Sequence, residues 1–113
     1  MGSSIASGVG GLATVIEQSD TLREKGARRV SPFTVPMMMS NAAAGLVSIH
    51  LNCWGPSFAT ASACASAADA LGIALEMIRS GRTNAMLAGG SEAAIIPICV
   101  ASFDQANALP ATH

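Results

Sequence analysis

Apolar residues along the chain follow two rhythms, and each marks a kind of element. Leu12, Val15, Ile16 and Leu22 recur near helical spacing, which predicts an amphipathic helix over Leu12–Lys25. Gly26 is placed to end it. Ahead of it, Ser3–Ser7 is a short, weakly apolar run that meets the glycines Gly8, Gly10 and Gly11. This predicts a strand entering a tight turn. Arg28–Pro36 carries two prolines and reads as an extended connection. Three successive methionines, Met37, Met38 and Met39, lead into a second helical segment. Asn41 is placed to cap it, and it runs to about Leu51. Asn52–Pro56 reads as a turn and Ser57–Ala63 as a buried strand. Ala65–Ser80 is the clearest helix, with Ala67, Ala68, Leu71, Leu75 and Ile78 on one stripe and Gly81 after its end. Thr83–Ala88 reads as a buried strand closed by Gly89 and Gly90. Pro97 opens a last helix, Ile98–Leu109. The alternation of strands and helices predicts an α/β fold with a mainly parallel sheet covered by helices.

Composition narrows the picture. The 113 residues form one domain's worth of chain, residues 1–113. Hydrophobic residues make up 50% and charged residues 12%, where soluble domains average about 25% charged. Intrinsic disorder is excluded, because it needs low hydropathy and high charge. The mean hydropathy of +0.46 is high for a small domain, whose surface stays largely exposed. Part of this surface is therefore expected to be covered by something else.

The net charge is −1, and six basic residues are too few for a nucleic-acid footprint. Four of them, Arg23, Lys25, Arg28 and Arg29, form a local basic patch. No apolar run reaches the ~18 residues of a membrane span; the best, Ala85–Ala101, is broken by Gly89, Gly90, Glu92 and Pro97. The N-terminus lacks the basic region of a secretory signal. Cys53, Cys64 and Cys99 are irregularly spaced and include no CxxC pair, so neither a zinc site nor a redox dithiol is indicated. A reduced, cytoplasmic setting is the simpler expectation. No cofactor or metal is implied.

Three places carry candidate chemistry. Cys64 lies where the Ser57–Ala63 strand gives way to the Ala65–Ser80 helix. Free backbone N–H groups and the dipole at a helix start favour a thiolate, and those N–H groups also stabilise an oxyanion. The small neighbours Ser62, Ala63, Ala65 and Ser66 leave room for a substrate. The competing reading is a buried cysteine acting as a small hydrophobe. Ser7-Gly8-Val9-Gly10-Gly11 resembles a phosphate loop but is neither GxGxxG nor a P-loop, so its glycines are read as serving a sharp turn and close packing. The methionine run either fills the core or lines a pocket for a long apolar ligand. His50 reads as an ordinary helix residue, and His113 as a disordered end.

The segment Gly55-Pro-Ser-Phe-Ala-Thr-Ala-Ser-Ala-Cys64-Ala-Ser resembles the nucleophile segment of the β-ketoacyl-acyl carrier protein synthases. Three further segments agree in the same order. They are Ser7–Gly11; Arg29-Val-Ser-Pro-Phe-Thr-Val-Pro36 with Asn41; and Ala88-Gly-Gly-Ser-Glu92 with Phe103 and Ala108-Leu109. The resemblance runs from about Ser4 to Leu109.

It implies part of the N-terminal half of a thiolase-like fold, a layered α/β/α/β/α arrangement. It also implies Cys64 as the residue that accepts an acyl group. A decarboxylative Claisen condensation with malonyl-carrier protein follows, in fatty-acid or polyketide synthesis. Val9 and Phe103 match acyl-pocket positions, and Val35, Met38 and Met39 match positions lining the acyl tunnel at a dimer interface. Arg28 and Arg29 match a basic patch that receives the acidic acyl carrier protein. Asn107 stands where members are often basic. The Ser57–Ala63 strand matches one that pairs with its twin in a homodimer. The family's two histidines and lysine, in HGT- and GH-type segments, have no counterpart among these residues. The expectation is therefore a condensation-inactive fragment. The alternative is a non-catalytic acyl-binding or dimerisation module.

Overall fold

The computed structural model describes residues 1–110; His113 lies outside the described residues. A three-stranded sheet forms the centre. Its strands are β1 (Gly2–Ala6), β2 (Ser57–Phe58) and β3 (Met86–Gly90), in the spatial order β2-β1-β3. Both pairings are parallel, with Ser3 beside Ser57 and Ser4 beside Ala88. Five helices accompany it: α1 (Leu12–Lys25), α2 (Thr34–Met38), α3 (Ala42–His50), α4 (Ser66–Arg79) and α5 (Pro97–Gln105). The expected parallel α/β arrangement is present.

Side chains alternate across a strand, so β1 serves two layers. The Ser3 hydroxyl donates to the Ala44 carbonyl at 3.0 Å and lies 2.7 Å from the Ser48 hydroxyl, which sets α3 on one face. Gly90, beside Ala6, belongs to the opposite face. A Cβ on Gly90 would stand 2.7 Å from the Ala67 Cβ, so α4 rests directly on the strand there. The buried side of α4 is Ser66, Ala70, Ala74 and Met77, a run at i, i+4, i+8 and i+11. This corrects the predicted stripe: Leu71, Leu75 and Ile78 are exposed. Close approach to a sheet face built from Ser4 and Ala6 of β1 and Gly90 of β3 requires small residues on the helix, and the large ones turn outward.

Several boundaries also differ from expectation. The strand over Ser57–Ala63 is two residues long. Beyond Phe58 the chain turns to Ser66 instead: the Thr60 hydroxyl donates to the Ser66 carbonyl at 2.8 Å. The Ser62 N–H donates to the Ser66 hydroxyl at 2.9 Å. These local bonds replace the ladder. Gly89 and Gly90, expected to close the last strand, lie within β3.

The Arg28–Pro36 connection is folded, not extended, with a 3₁₀ turn at Ala27–Arg29 and the start of α2. Pro36 falls in the first turn of α2, where its missing N–H has no helical partner to lose. The last helix ends at Gln105, four residues early. There Asn107 takes φ 53°, and the N–H groups of Asn107 and Ala108 donate to the carbonyls of Asp104 and Phe103 at 2.9 Å each. This is a left-handed C-terminal cap, a role asparagine tolerates better than a basic residue. Asn41 does precede α3, but its side chain makes no capping bond.

The molecule is a plate of 50 × 44 × 17 Å with a radius of gyration of 17.1 Å, against about 13 Å for a compact domain of this length. It exposes 7934 Å², where a folded monomer of its mass exposes roughly 5,700 Å². The excess is strongly apolar. Trp54 is 93% exposed, Ile95 92% and Ile49 77%. Large apolar side chains exposed to this extent accord with the high mean hydropathy.

Candidate functional site

The carboxyl ends of β1 and β3 open into the cleft that matters, the usual place for a site in a parallel sheet. After Phe58 the chain enters a 3₁₀ turn, Ala63–Ala65, that feeds α4. Cys64 sits at its centre and is exposed. It therefore lies two residues before α4 rather than directly before it. Ala63 adopts φ 50°, a left-handed conformation that costs a residue with a Cβ about 1–2 kcal/mol. Ser66 holds the turn. It is buried, and its hydroxyl donates to the Ala63 carbonyl at 2.7 Å while accepting from the Ser62 N–H. The Cys64 N–H has no partner among the described residues, so it is available to a ligand beside the sulfur.

The second wall is the Ser7–Gly11 loop that leaves β1. The buried Ser7 hydroxyl donates to Glu92 Oε2 at 3.2 Å and accepts from the Gly10 N–H at 3.0 Å. Glu92 Oε2 also accepts from the Val9 N–H at 2.8 Å. Gly10 (φ 89°) passes so close to α2 that a Cβ would stand 2.8 Å from the Met38 carbonyl. Here the glycines serve close packing, as expected.

Between the walls is a cavity of about 440 Å³, within the range of small-molecule sites. Cys64, Val9 and Phe103 all line it, with Cys99 and the small residues Ala67 and Gly90. Three predicted site residues therefore meet in one place. Val35, Met38 and Met39 do not line this cavity. They are exposed on and just after α2, so the methionine run is not core filling. Arg28 and Arg29 are exposed in the 3₁₀ turn after α1.

The lining is overwhelmingly apolar, as an alkyl chain requires and a phosphate does not. No group of three or more metal-binding side chains occurs among the described residues. In the sequence Glu92 stands out only as part of a motif, Ser66 only as a small neighbour of Cys64, and Cys99 has no role. Their signal is weak, because a carboxylate that accepts from backbone N–H groups has no spacing rule of its own.

A family model, the beta-ketoacyl synthase N-terminal domain, matches residues 1–113. The chain belongs to that family. Among curated relatives, it is 44% identical over 105 residues to 3-oxoacyl-(acyl-carrier-protein) synthase 2 of Synechocystis, covering 93% of this chain and 25% of the relative. The enzyme of the same name from Rhizobium meliloti is 42% identical over 109 residues, covering 96% and 26%. That of Staphylococcus aureus is 43% identical over 105 residues, covering 93% and 26%.

This β-ketoacyl synthase chain thus spans about a quarter of the length of the curated relatives it matches. Among solved structures it resembles the ishigamide ketosynthase/chain length factor, with a TM-score of 0.76 at 23% identity. That match covers 93% of this chain and 29% of the other. The fold is thiolase-like, as the motifs implied. No described helix is long and apolar enough to cross a membrane.

Proposed function

We propose that this chain carries the acyl-accepting half-site of a β-ketoacyl-acyl carrier protein synthase, with Cys64 as the nucleophile. The supporting observation is the convergence of an exposed Cys64, its unpartnered N–H and an apolar cavity at one turn. In the transfer step the Cys64 sulfur attacks the carbonyl carbon of an acyl-carrier-protein thioester. A new S–C bond forms, and the carbonyl oxygen takes up negative charge. The Cys64 N–H is placed to donate to that oxyanion. Collapse breaks the old C–S bond, the carrier thiolate leaves with the proton from Cys64, and the acyl chain enters the cavity past Val9 and Phe103.

Condensation would follow. Malonyl-carrier protein loses CO₂, its carbanion attacks the acyl-Cys64 carbonyl, and the Cys64 thiolate is released with the β-ketoacyl product. The family performs this step with two histidines and a lysine, and these 113 residues contain no HGT or GH segment. Arg28 and Arg29 would receive the acidic carrier protein. Val35, Met38 and Met39 would line a tunnel completed by a second subunit in a homodimer. The setting would be cytoplasmic fatty-acid or polyketide synthesis, and the exposed apolar faces would be covered in a synthase of the relatives' length.

The test is acyl transfer from a medium-chain acyl-carrier protein to the wild-type chain and to Cys64→Ala, read by intact-protein mass. One acyl group on the wild type and none on the variant supports the reading. Equal acylation counts against Cys64 as the acceptor, and equal non-covalent retention of the acyl ligand with no adduct on either favours the acyl-binding module instead.

A further inference from the structure

The cavity holds two thiols on different walls. Cys64 lines it from the 3₁₀ turn and Cys99 from α5. Both are free, Cys64 exposed and Cys99 half-buried. Cys99 stands one helical turn before Phe103, so the two share the face of α5 that meets the cleft. The third cysteine, Cys53, is also free and half-buried. It follows α3, where its N–H donates to the Ser48 carbonyl at 2.8 Å, and it does not line this cavity.

Cys64 and Cys99 are not placed to meet each other. No Cα of α5 lies within 8 Å of one in the Ala63–Ala65 turn, and a disulfide needs a separation of at most about 7 Å. They are placed to meet one molecule that lies between them. An apolar chain attached at Cys64 has an apolar cavity to fill, and among the lining residues Cys99 is the only other thiol.

We propose that Cys99 is a second covalent site in this cavity, selective for acyl chains that carry a conjugated carbonyl group along their length. The chain is held at Cys64 as a thioester, and the Cys99 sulfur adds to the β-carbon of the C=C–C=O unit. A C–S bond forms, the C=C π pair becomes an enolate, and the proton lost by the thiol is returned at the α-carbon. No group leaves and no oxidant is consumed. The product bridges Cys64 and Cys99 across the cavity, and a saturated chain leaves Cys99 unmodified. The attachment at Cys64 rests on the function proposed above. The reach from Cys64 to Cys99 does not, because any spacer fixed at Cys64 crosses the same cavity.

The experiment treats the full chain with acrylamide-terminated acyl thioesters of N-acetylcysteamine, graded in the number of methylenes between the two ends. Intact mass and cysteine-peptide mass locate the bonds. Cys64 sulfur displaces the N-acetylcysteamine thiol, which leaves with the Cys64 proton. A second series carries an iodoacetamide in place of the thioester. There sulfur attacks the CH₂ carbon, iodide leaves and the proton goes to buffer, so no acyl transfer is needed. A single chain bridged from Cys64 to Cys99 should appear over a limited range of spacer lengths. A short flexible tether gives an effective concentration of mM order, so with reagent at about 10 µM the acrylamide should add to Cys99 about a hundredfold faster than to Cys53. Cys64→Ser should abolish the bridge and return Cys99 to the Cys53 rate, and Cys99→Ser should leave Cys64 singly modified.

Equal acrylamide addition to Cys99 and Cys53 at every spacer length overturns the proposal. So do bridges from Cys64 to Cys53. If a serine variant does not fold, the ratio of Cys99 to Cys53 in the wild type decides by the same criterion. Bridges from the iodoacetamide series with no Cys64 adduct from the thioesters count against the acyl-acceptor reading alone. Thioester adducts on Cys64 with no bridge in either series count against Cys99 alone.

Discussion

The nucleophile turn and α5 border the same cavity, yet they are held in opposite ways. Ala63–Ala65 is fixed by the buried Ser66 hydroxyl, the Thr60 hydroxyl and the adjoining Gly8. No backbone of α5 comes within 8 Å, Cα to Cα, of another helix or strand among the described residues. α5 meets the rest of the chain at the cleft through Cys99 and Phe103, while Ile98, Val100 and Phe103 remain 57, 46 and 56% exposed. The difference separates an element held by its own short polar side chains from one that the other described elements hold hardly at all. The geometry of the thiol is built locally from short polar side chains. The far wall of the cavity is an apolar helix whose outer face has no cover.

That contrast is open to attack at several points. The largest expected effect is on condensation. The chain alone should show no detectable turnover of malonyl-carrier protein, because groups that act as a unit lose nearly all rate together. Measurable CO₂ release from malonyl-carrier protein would show that the locally built wall suffices.

Next is the seat of α4. Gly90→Val would force two methyl groups against Ala67, where even a Cβ stands 2.7 Å away. It should destabilise by about 3 kcal/mol, read as a lower urea midpoint. Ser66→Ala should cost about 1–2 kcal/mol by leaving the Ser62 N–H and Ala63 carbonyl without their partner. It should also slow Cys64 acylation.

Ala63→Gly relieves the left-handed strain at φ 50° and should raise stability by up to about 1 kcal/mol, while loosening the aim of the thiol. The smallest effect belongs to α5's approach. Ile95→Ser, at a site 92% exposed, should stay within about 0.5 kcal/mol. A cost at Ile95 equal to that at Ser66 would erase the distinction between the two regions.

Much of the fold is legible where a single residue type has one physical job. Gly26 ends α1 at φ 81° with its N–H on the Leu22 carbonyl, and Pro97 starts α5. Periodicity misassigns the face of α4, because close approach to the sheet selects small residues and apolar size does not mark them. The alanines Ala70 and Ala74 are buried, and Leu71 and Leu75 are exposed. The strand at Ser57 is overestimated because side-chain bonds to Ser66 compete with the ladder, a competition invisible to alternation.

In the site, Cys64, Val9 and Phe103 are legible by motif and meet in the cavity. Glu92 is legible only once the two strand ends are side by side, since its partners lie more than eighty positions away in the chain.

Where the adduct forms decides most directly whether Cys64 is the acyl acceptor. The chain is incubated with a medium-chain acyl-carrier protein, and each cysteine peptide is analysed by mass spectrometry. A Cys64 acceptor predicts a stoichiometric thioester on Cys64 and none on Cys53 or Cys99. Equal labelling of the three thiols, or no adduct at all, would contradict it.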